Sequence, residues 1–192
     1  MSTRPLIYPV SSIRTLIDAI GTADASLVER SVRAYLAGKT HVNDERVAEV
    51  RTAVHSFVFG ELENGMEPPR WGIGGHRVAA ALGLATDAAL NADWEWDVWS
   101  DYLDFVRPKL PEAIATRLHY LVYGRPFKAV LDEEAFQYYA WLAQSEAASL
   151  HQAITALQEA DPTVAEEFAD FHDELTNSLE DCELHDLLLV AV

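Results

Sequence analysis

Six apolar residues in unbroken succession, Leu187 to Val192, follow a long amphipathic segment. The run is far too short to span a bilayer and reads as a buried strand, although periodicity alone also allows a buried helical turn. Near the other terminus, Leu6-Ile7-Tyr8 lies between Pro5 and Pro9, which favours a β or edge conformation. A strand pair by itself is barely stable in water and needs helices packed on it. The sequence between the two strands supplies them. The expected fold class is α+β and predominantly helical, a multi-helix domain with a small sheet formed by strands near the N- and C-termini. No internal repeat and no low-complexity linker divides the chain, and 192 residues suffice for one sizeable core, so a single domain over 1–192 is expected.

Helix signals recur along the chain. Ser11 or Ser12 caps a helix carrying Ile13, Leu16, Ile17 and Ile20 and stopped by Gly21. Asp24 opens a second through Leu36, stopped by Gly38. Asn43 caps a third with Val47, Val50, Val54, Phe57 and Val58 on one side. Residues Gly60 to Gly75 read as a loop, followed by a short Ala-rich helix from His76 to Leu84. Asp93 to Val106 reads as an aromatic helix. Pro111 suits the first turn of the next, which runs to about Val122. Asp132 is expected to cap a helix containing Phe136, Tyr139, Ala140 and Leu142, bending near Ser145 and continuing to Leu157. Asp161-Pro162 starts the last helix, in which Val164, Phe168, Phe171, Leu175, Leu179 and Cys182 form a stripe.

Charge is distributed very unevenly. Residues 129–192 hold 15 Asp and Glu and no Lys or Arg, whereas residues 1–128 carry 16 acids against 14 bases. The last third therefore holds −15 of the −17 total. Such a field repels nucleic acid and anionic membranes and attracts cationic proteins. No stretch approaches 18 uninterrupted apolar residues. The first ten residues, with Pro5 and Pro9, are too short for a secretory leader, and the single Cys182 excludes an internal disulfide framework. A cytoplasmic location is expected.

Three segments are candidates for a site. Trp94, Trp96, Trp99, Tyr102 and Phe105 alternate with Asp93, Glu95, Asp97, Asp101 and Asp104. On a helix they make either a core face of unusual breadth or an exposed aromatic-acidic patch suited to a basic protein or cationic ligand. On the last helix, Glu166, Glu167, Asp170 and Asp173 crowd one side around His172. The bland reading is a solvated acidic face; the chemical one is a perturbed acid–base or metal group. The third candidate is the stretch from Trp71 to Arg77, where Gly74, Gly75 and Arg77 could form an anion site at a helix N-terminus. It lacks the upstream buried strand of a dinucleotide fingerprint, and a structural loop is the simpler reading. No helix carries His-x-x-x-His or Glu-x-x-His, and neither Gly-x-Ser-x-Gly nor a P-loop occurs, so no metal and no cofactor is expected. Cys182 closes an apolar stripe and should be buried and inert.

The extended start Pro5-Leu6-Ile7-Tyr8-Pro9-Val10 leading into a Ser-capped helix, with a late acidic helix followed by Leu187 to Val192, resembles uncharacterised bacterial families of the YfbM type. The resemblance covers about a third of the chain, by apolar pattern. It implies an α+β fold and carries over no catalytic residue.

The functional expectation is a binding module for a basic protein partner, in one version an immunity or antitoxin protein that masks a cationic toxin. Trp94, Trp96, Asp97, Asp101, Asp104, Glu166, Glu167, Asp170 and Asp173 are its expected contact residues. The alternatives are a small hydrolytic or metal-dependent enzyme assembled from dispersed His, Asp and Glu, or acidity that serves solubility alone. Oligomeric state is left open by the sequence.

Overall fold

A computed structural model describes residues 5–59, 69–85, 90–91, 95–125, 139–182 and 184–191. Its elements are β1 (Pro5–Val10), α1 (Ile13–Gly21), α2 (Ala25–Leu36), α3 (Asp44–Phe59), α4 (Pro69–Ala81), β2 (Leu90–Asn91), α5 (Trp96–Val106), a 3-10 turn (Arg107–Lys109), α6 (Glu112–Tyr123), β3 (Tyr139–Leu142), α7 (Gln144–Ala160), α8 (Thr163–Asp181) and β4 (Asp186–Ala191). The four strands form one antiparallel sheet in the order β2-β1-β4-β3. The terminal strands lie side by side at its centre, with Leu6 opposite Val190 and Tyr8 opposite Leu188. The fold is α+β and predominantly helical, as expected.

The apolar run of β4 is explained by what covers it. Successive strand residues face opposite sides of a sheet, so a strand buried on both faces must be apolar throughout. Leu188 enters a core with Val10, α1, α2, α3 and α4, whereas Leu187 and Leu189 enter a second core with Ile7, Ala140, Leu142, α5, α6, α7 and α8. The sheet thus separates two helical layers. In the first layer α1 and α4 lie against β4, and α2 and α3 pack on α4. In the second, α6 and α7 lie on β3, and α5 and α8 close the outer side.

Capping follows local chemistry. Ser12 Oγ accepts from the Thr15 N–H, Asp24 Oδ1 from the Ser26 N–H and Asn43 Oδ1 from the Arg46 N–H. One further cap joins the layers. At the start of β4, Asp186 Oδ2 accepts from the Ile13 N–H at 2.6 Å and Oδ1 from the Gln144 N–H at 2.7 Å. A single carboxylate therefore sits at the N-termini of α1 and α7, helices from opposite layers.

Several expected boundaries are corrected. β1 is not an edge strand; β2 covers it only at Leu6 and Ile7, so Pro9, which has no N–H, lies past that short pairing. Tyr139 to Leu142 is a strand, not helix: Ala140 and Leu142 face one core and Trp141 packs against the other. Asp132 and Phe136 lie outside the described residues. The last helix breaks at Phe168 (φ −135°, ψ 31°), which is only half-buried, while Val164, Phe171, Leu175, Leu179 and Cys182 are buried as the stripe implies. The largest correction concerns the glycine-rich stretch: Pro69 already starts α4, so Gly74, Gly75 and Arg77 lie inside the helix and not in a loop before it.

That placement has a packing cause. A methyl group at Gly74 would clash with the Ala53 carbonyl oxygen and stand 2.8 Å from Phe57 Cβ, and one at Gly75 would stand 2.8 Å from the Phe57 ring. The two glycines let the backbone of α4 close onto α3. This tertiary contact offsets the roughly 1 kcal/mol that each glycine costs a helix relative to alanine.

Candidate functional site

Within the second layer, α5 and α8 run antiparallel. Phe105 meets Phe168 at 5.4 Å between ring centroids, Tyr102 meets Phe168 and Phe171 at 5.5 and 4.9 Å, and Trp99 meets Phe171 at 5.1 Å. Past the end of α5, Lys109 pairs at 2.9 Å with Asp161, just before α8, and its ammonium lies 3.6 Å from the Phe105 ring centre. Hydrogen bonds from Thr163 and this Lys109 contact hold the Asp161 carboxyl down at about 2.

The antiparallel arrangement brings the two acidic stretches onto neighbouring helices. Asp97, Asp101 and Asp104 of α5 are exposed, as are Glu166, Glu167, Asp170 and Asp173 of α8. Their positions follow from the helical period: α5 turns Trp99, Tyr102, Leu103 and Val106 inward, which leaves 97, 101 and 104 outside. Asp97 accepts from the neighbouring Val98 N–H, and Asp173 lies 3.5 Å from the Gln158 amide. Among the described residues no ion pair involves Asp97, Asp101, Asp104, Glu166, Glu167 or Asp170.

The aromatic residues are arranged otherwise than an exposed patch would require. Trp99 and Tyr102 are fully buried, Trp96 is half-buried with its ring 6.3 Å from that of Trp99, and Trp94 lies outside the described residues. The broad aromatic face fills the gap between two helices instead of facing solvent.

Beneath the acids lies a polar pair with no counterpart in the sequence reading. The Tyr102 hydroxyl and His172 Nδ1 are 2.8 Å apart, and both side chains are fully buried. Burial pushes the Tyr102 phenol up and the His172 imidazole down, so both are neutral at pH 7. His172 Nε2 and Trp99 Nε1 are buried without a hydrogen-bond partner. His172 therefore faces the core and not the acidic surface, which removes it from any solvent-facing acid–base or metal role. The pair is separated by 70 positions, so no local pattern signals it.

Gly74, Gly75 and Arg77 do not assemble an anion site at a helix end. Gly74 and Gly75 lie beyond the first turn of α4, where N–H groups bond within the helix. Arg77 lies over the Tyr35 ring with its Cζ 4.6 Å from the centroid, and its neighbour His76 stacks on Tyr8 at 3.9 Å. Burial is the main cause that pushes the His76 imidazole down to about 4, and Arg77 adds to it. Both residues thus fasten α4 to β1 and α2.

Among the described residues, no group of three or more His, Cys, Asp or Glu could hold a metal ion, and no helix is long and apolar enough to cross a membrane. No family model, curated protein or solved structure matches the chain.

Proposed function

We propose that the protein acts by binding, and that the outer side of α5 and α8 receives a basic protein. The observation that carries this reading is the set of exposed acids on two adjacent helices that find no cation in the described structure. Among the described residues intramolecular pairing does not consume their charge, so it is available to a partner. Complementary charge of this kind raises encounter rates and selects partners more than it adds affinity. Apolar contact is limited to half-buried rings such as Trp96, Phe105 and Phe168, so electrostatic steering dominates over hot-spot burial. Masking the cationic active site of a toxin, as an immunity protein does, is one concrete form of this activity.

The test is capture from the native host at low and high salt, followed by kinetics with the captured protein. Exposed charges are screened beyond about 10 Å at 0.1 M salt, so retention of a basic partner should fall steeply as salt rises. Joint reversal of Asp101→Lys and Asp170→Lys should slow association about tenfold and leave dissociation nearly unchanged. Captured partners that bind the reversed variant equally fast would defeat the proposal.

A further inference from the structure

The turn between α2 and α3, on the opposite side of the sheet from the acidic helices, encloses an open groove of about 810 Å³. Its walls include Tyr35, Lys39, Thr40, His41, Asn43 and Arg46, and among the described residues no carboxylate lines it. In a chain of net charge −17, a cavity walled by ammonium, guanidinium and imidazole groups runs against the prevailing sign.

The cations are gathered around one ring. Lys39 Nζ lies 4.3 Å and Arg77 Cζ 4.6 Å from the centroid of Tyr35, and Arg46 Nε donates to the Tyr35 hydroxyl at 3.4 Å. Arg46 is held by Glu49 at 2.8 Å, whereas no described ion pair holds Lys39 or Arg77, and Arg77 Nε is buried without a hydrogen-bond partner. Three positive groups around one ring repel each other, and among the described residues only Arg46 is offset by a carboxylate. The Arg46 hydrogen bond, helped by the neighbouring cations, lowers the Tyr35 phenol from its ordinary value. Asp44 and Glu45, in the first turn of α3, are exposed and stand outside the groove wall.

We propose that this groove binds a small molecule through a phosphomonoester group. Lys39, Arg46, His41 and Thr40 line the groove with an ammonium, a guanidinium, a ring N–H and a hydroxyl on four different side chains, a donor set that suits a dianion with three terminal oxygens better than a two-oxygen carboxylate. The volume lies in the range of small-molecule sites. Size also separates the candidate ligands. A nucleic acid would extend into the field of the whole acidic protein and be repelled. A small dianion at the α2–α3 turn feels only the local charges, because α4, the sheet and the inner helices of the second layer separate it from α5 and α8. With each helix about 10 Å across, that distance exceeds the roughly 10 Å screening length at 0.1 M salt. The site is independent of the acidic face, so either can fail alone.

The experiment is titration of the full chain with phenyl phosphate, benzoate and phenol, followed by amide chemical shifts. Phenyl phosphate should give saturable shifts centred on residues 35–46, with benzoate at least tenfold weaker and phenol without effect there. Lys39→Ala, at an exposed position, should weaken phenyl phosphate at least tenfold, Lys39→Arg should keep most of the affinity, and Arg14→Ala on α1 should change nothing. Absence of saturable shifts, shifts centred elsewhere, equal binding of benzoate, or an unaffected Lys39→Ala variant would each overturn the assignment.

Discussion

The two helical layers bury opposite faces of one sheet by different means. The first closes by backbone approach: Gly74 and Gly75 bring α4 onto α3, and the remaining core is largely aliphatic, with Ile13, Leu16, Ile20, Val54, Val58 and Val78 around Leu188. The second closes by large rings, Trp99, Tyr102 and Phe171, and admits the neutral Tyr102–His172 pair. Their surfaces differ in the same sense. In the first layer acids and bases meet on neighbouring turns or helices, as in Arg14–Asp18, Arg46–Glu49 and Arg51–Glu29. In the second, Asp97, Asp101, Asp104, Glu166, Glu167 and Asp170 are in no ion pair among the described residues. Exposed pairs of the first kind neutralise the surface more than they hold it together. On the second surface Lys109 pairs with Asp161 and Arg125 with Glu146, but the named acids of α5 and α8 keep their charge among the described residues, and that charge is the property on which a partner can act.

Adjacent residues of β4 provide the most severe test of this division. Leu188→Ala should damage the first core and Leu189→Ala the second, each costing about 2–5 kcal/mol through lost burial and the cavity left behind. The shared sheet and the Asp186 cap tie the layers together, so each variant should lower one common melting transition, read by amide hydrogen exchange in both layers. If Leu188→Ala accelerates exchange in α1–α4 while α5–α8 keep their protection, the layers unfold separately and the sheet does not couple them.

Gly74→Ala is a narrower probe of how the first layer closes. The added methyl meets backbone, the Ala53 carbonyl, so relief requires α4 to move as a whole. A net loss of about 1–3 kcal/mol is expected from overpacking, despite alanine's better helix propensity. Gly21→Ala, with open space around the position, should show no such loss. Equal denaturation midpoints for the two variants would mean that α3 and α4 are not held together by glycine contact.

What the sequence made legible divides along similar lines. Ser12, Asp24 and Asn43 act within three residues of themselves, so the starts of α1, α2 and α3 are read from local chemistry. The strand at Leu187 to Ala191 shows because its residues are all apolar, and Leu187, Leu188 and Leu189 are buried on both faces of the sheet. α4 was hidden because its glycines suit a loop locally and suit a helix only once Ala53 and Phe57 are beside them. β3 was hidden because four residues, Tyr139 to Leu142, satisfy either period when Phe136 stands upstream. Asp186 and the Tyr102–His172 pair reach across 173, 42 and 70 positions, distances at which composition and spacing carry no signal. Of the candidate site, the exposure of the acids on α5 and α8 followed from periodicity, whereas the burial of Trp99 and Tyr102 between those helices depended on how the helices meet.

The smallest expected effect concerns pH, and it separates the layers by their histidines. His76 belongs to the first layer, stacked on Tyr8 beside Arg77, and its imidazole is pushed from 6.5 down to about 4. A histidine with a depressed folded-state value binds protons more readily when unfolded. Its contribution to stability is therefore complete above about pH 6.5, declines as pH falls towards 4, and changes no further below that. For this partly exposed ring, about 1–2 kcal/mol remains after discounting for solvent screening. Whole-protein curves would mix this loss with the relief of repulsion as surplus carboxylates gain protons, an effect of opposite sign. His76→Phe keeps an aromatic ring against Tyr8 and cannot titrate, so the difference between wild type and variant isolates the group. Urea midpoints at pH 7 and pH 4.5 should show wild type losing more stability than His76→Phe, the excess arising in the first layer and leaving the Tyr102–His172 pair as a common background. Equal losses would show that His76 does not carry the acid sensitivity and that its source lies in other groups.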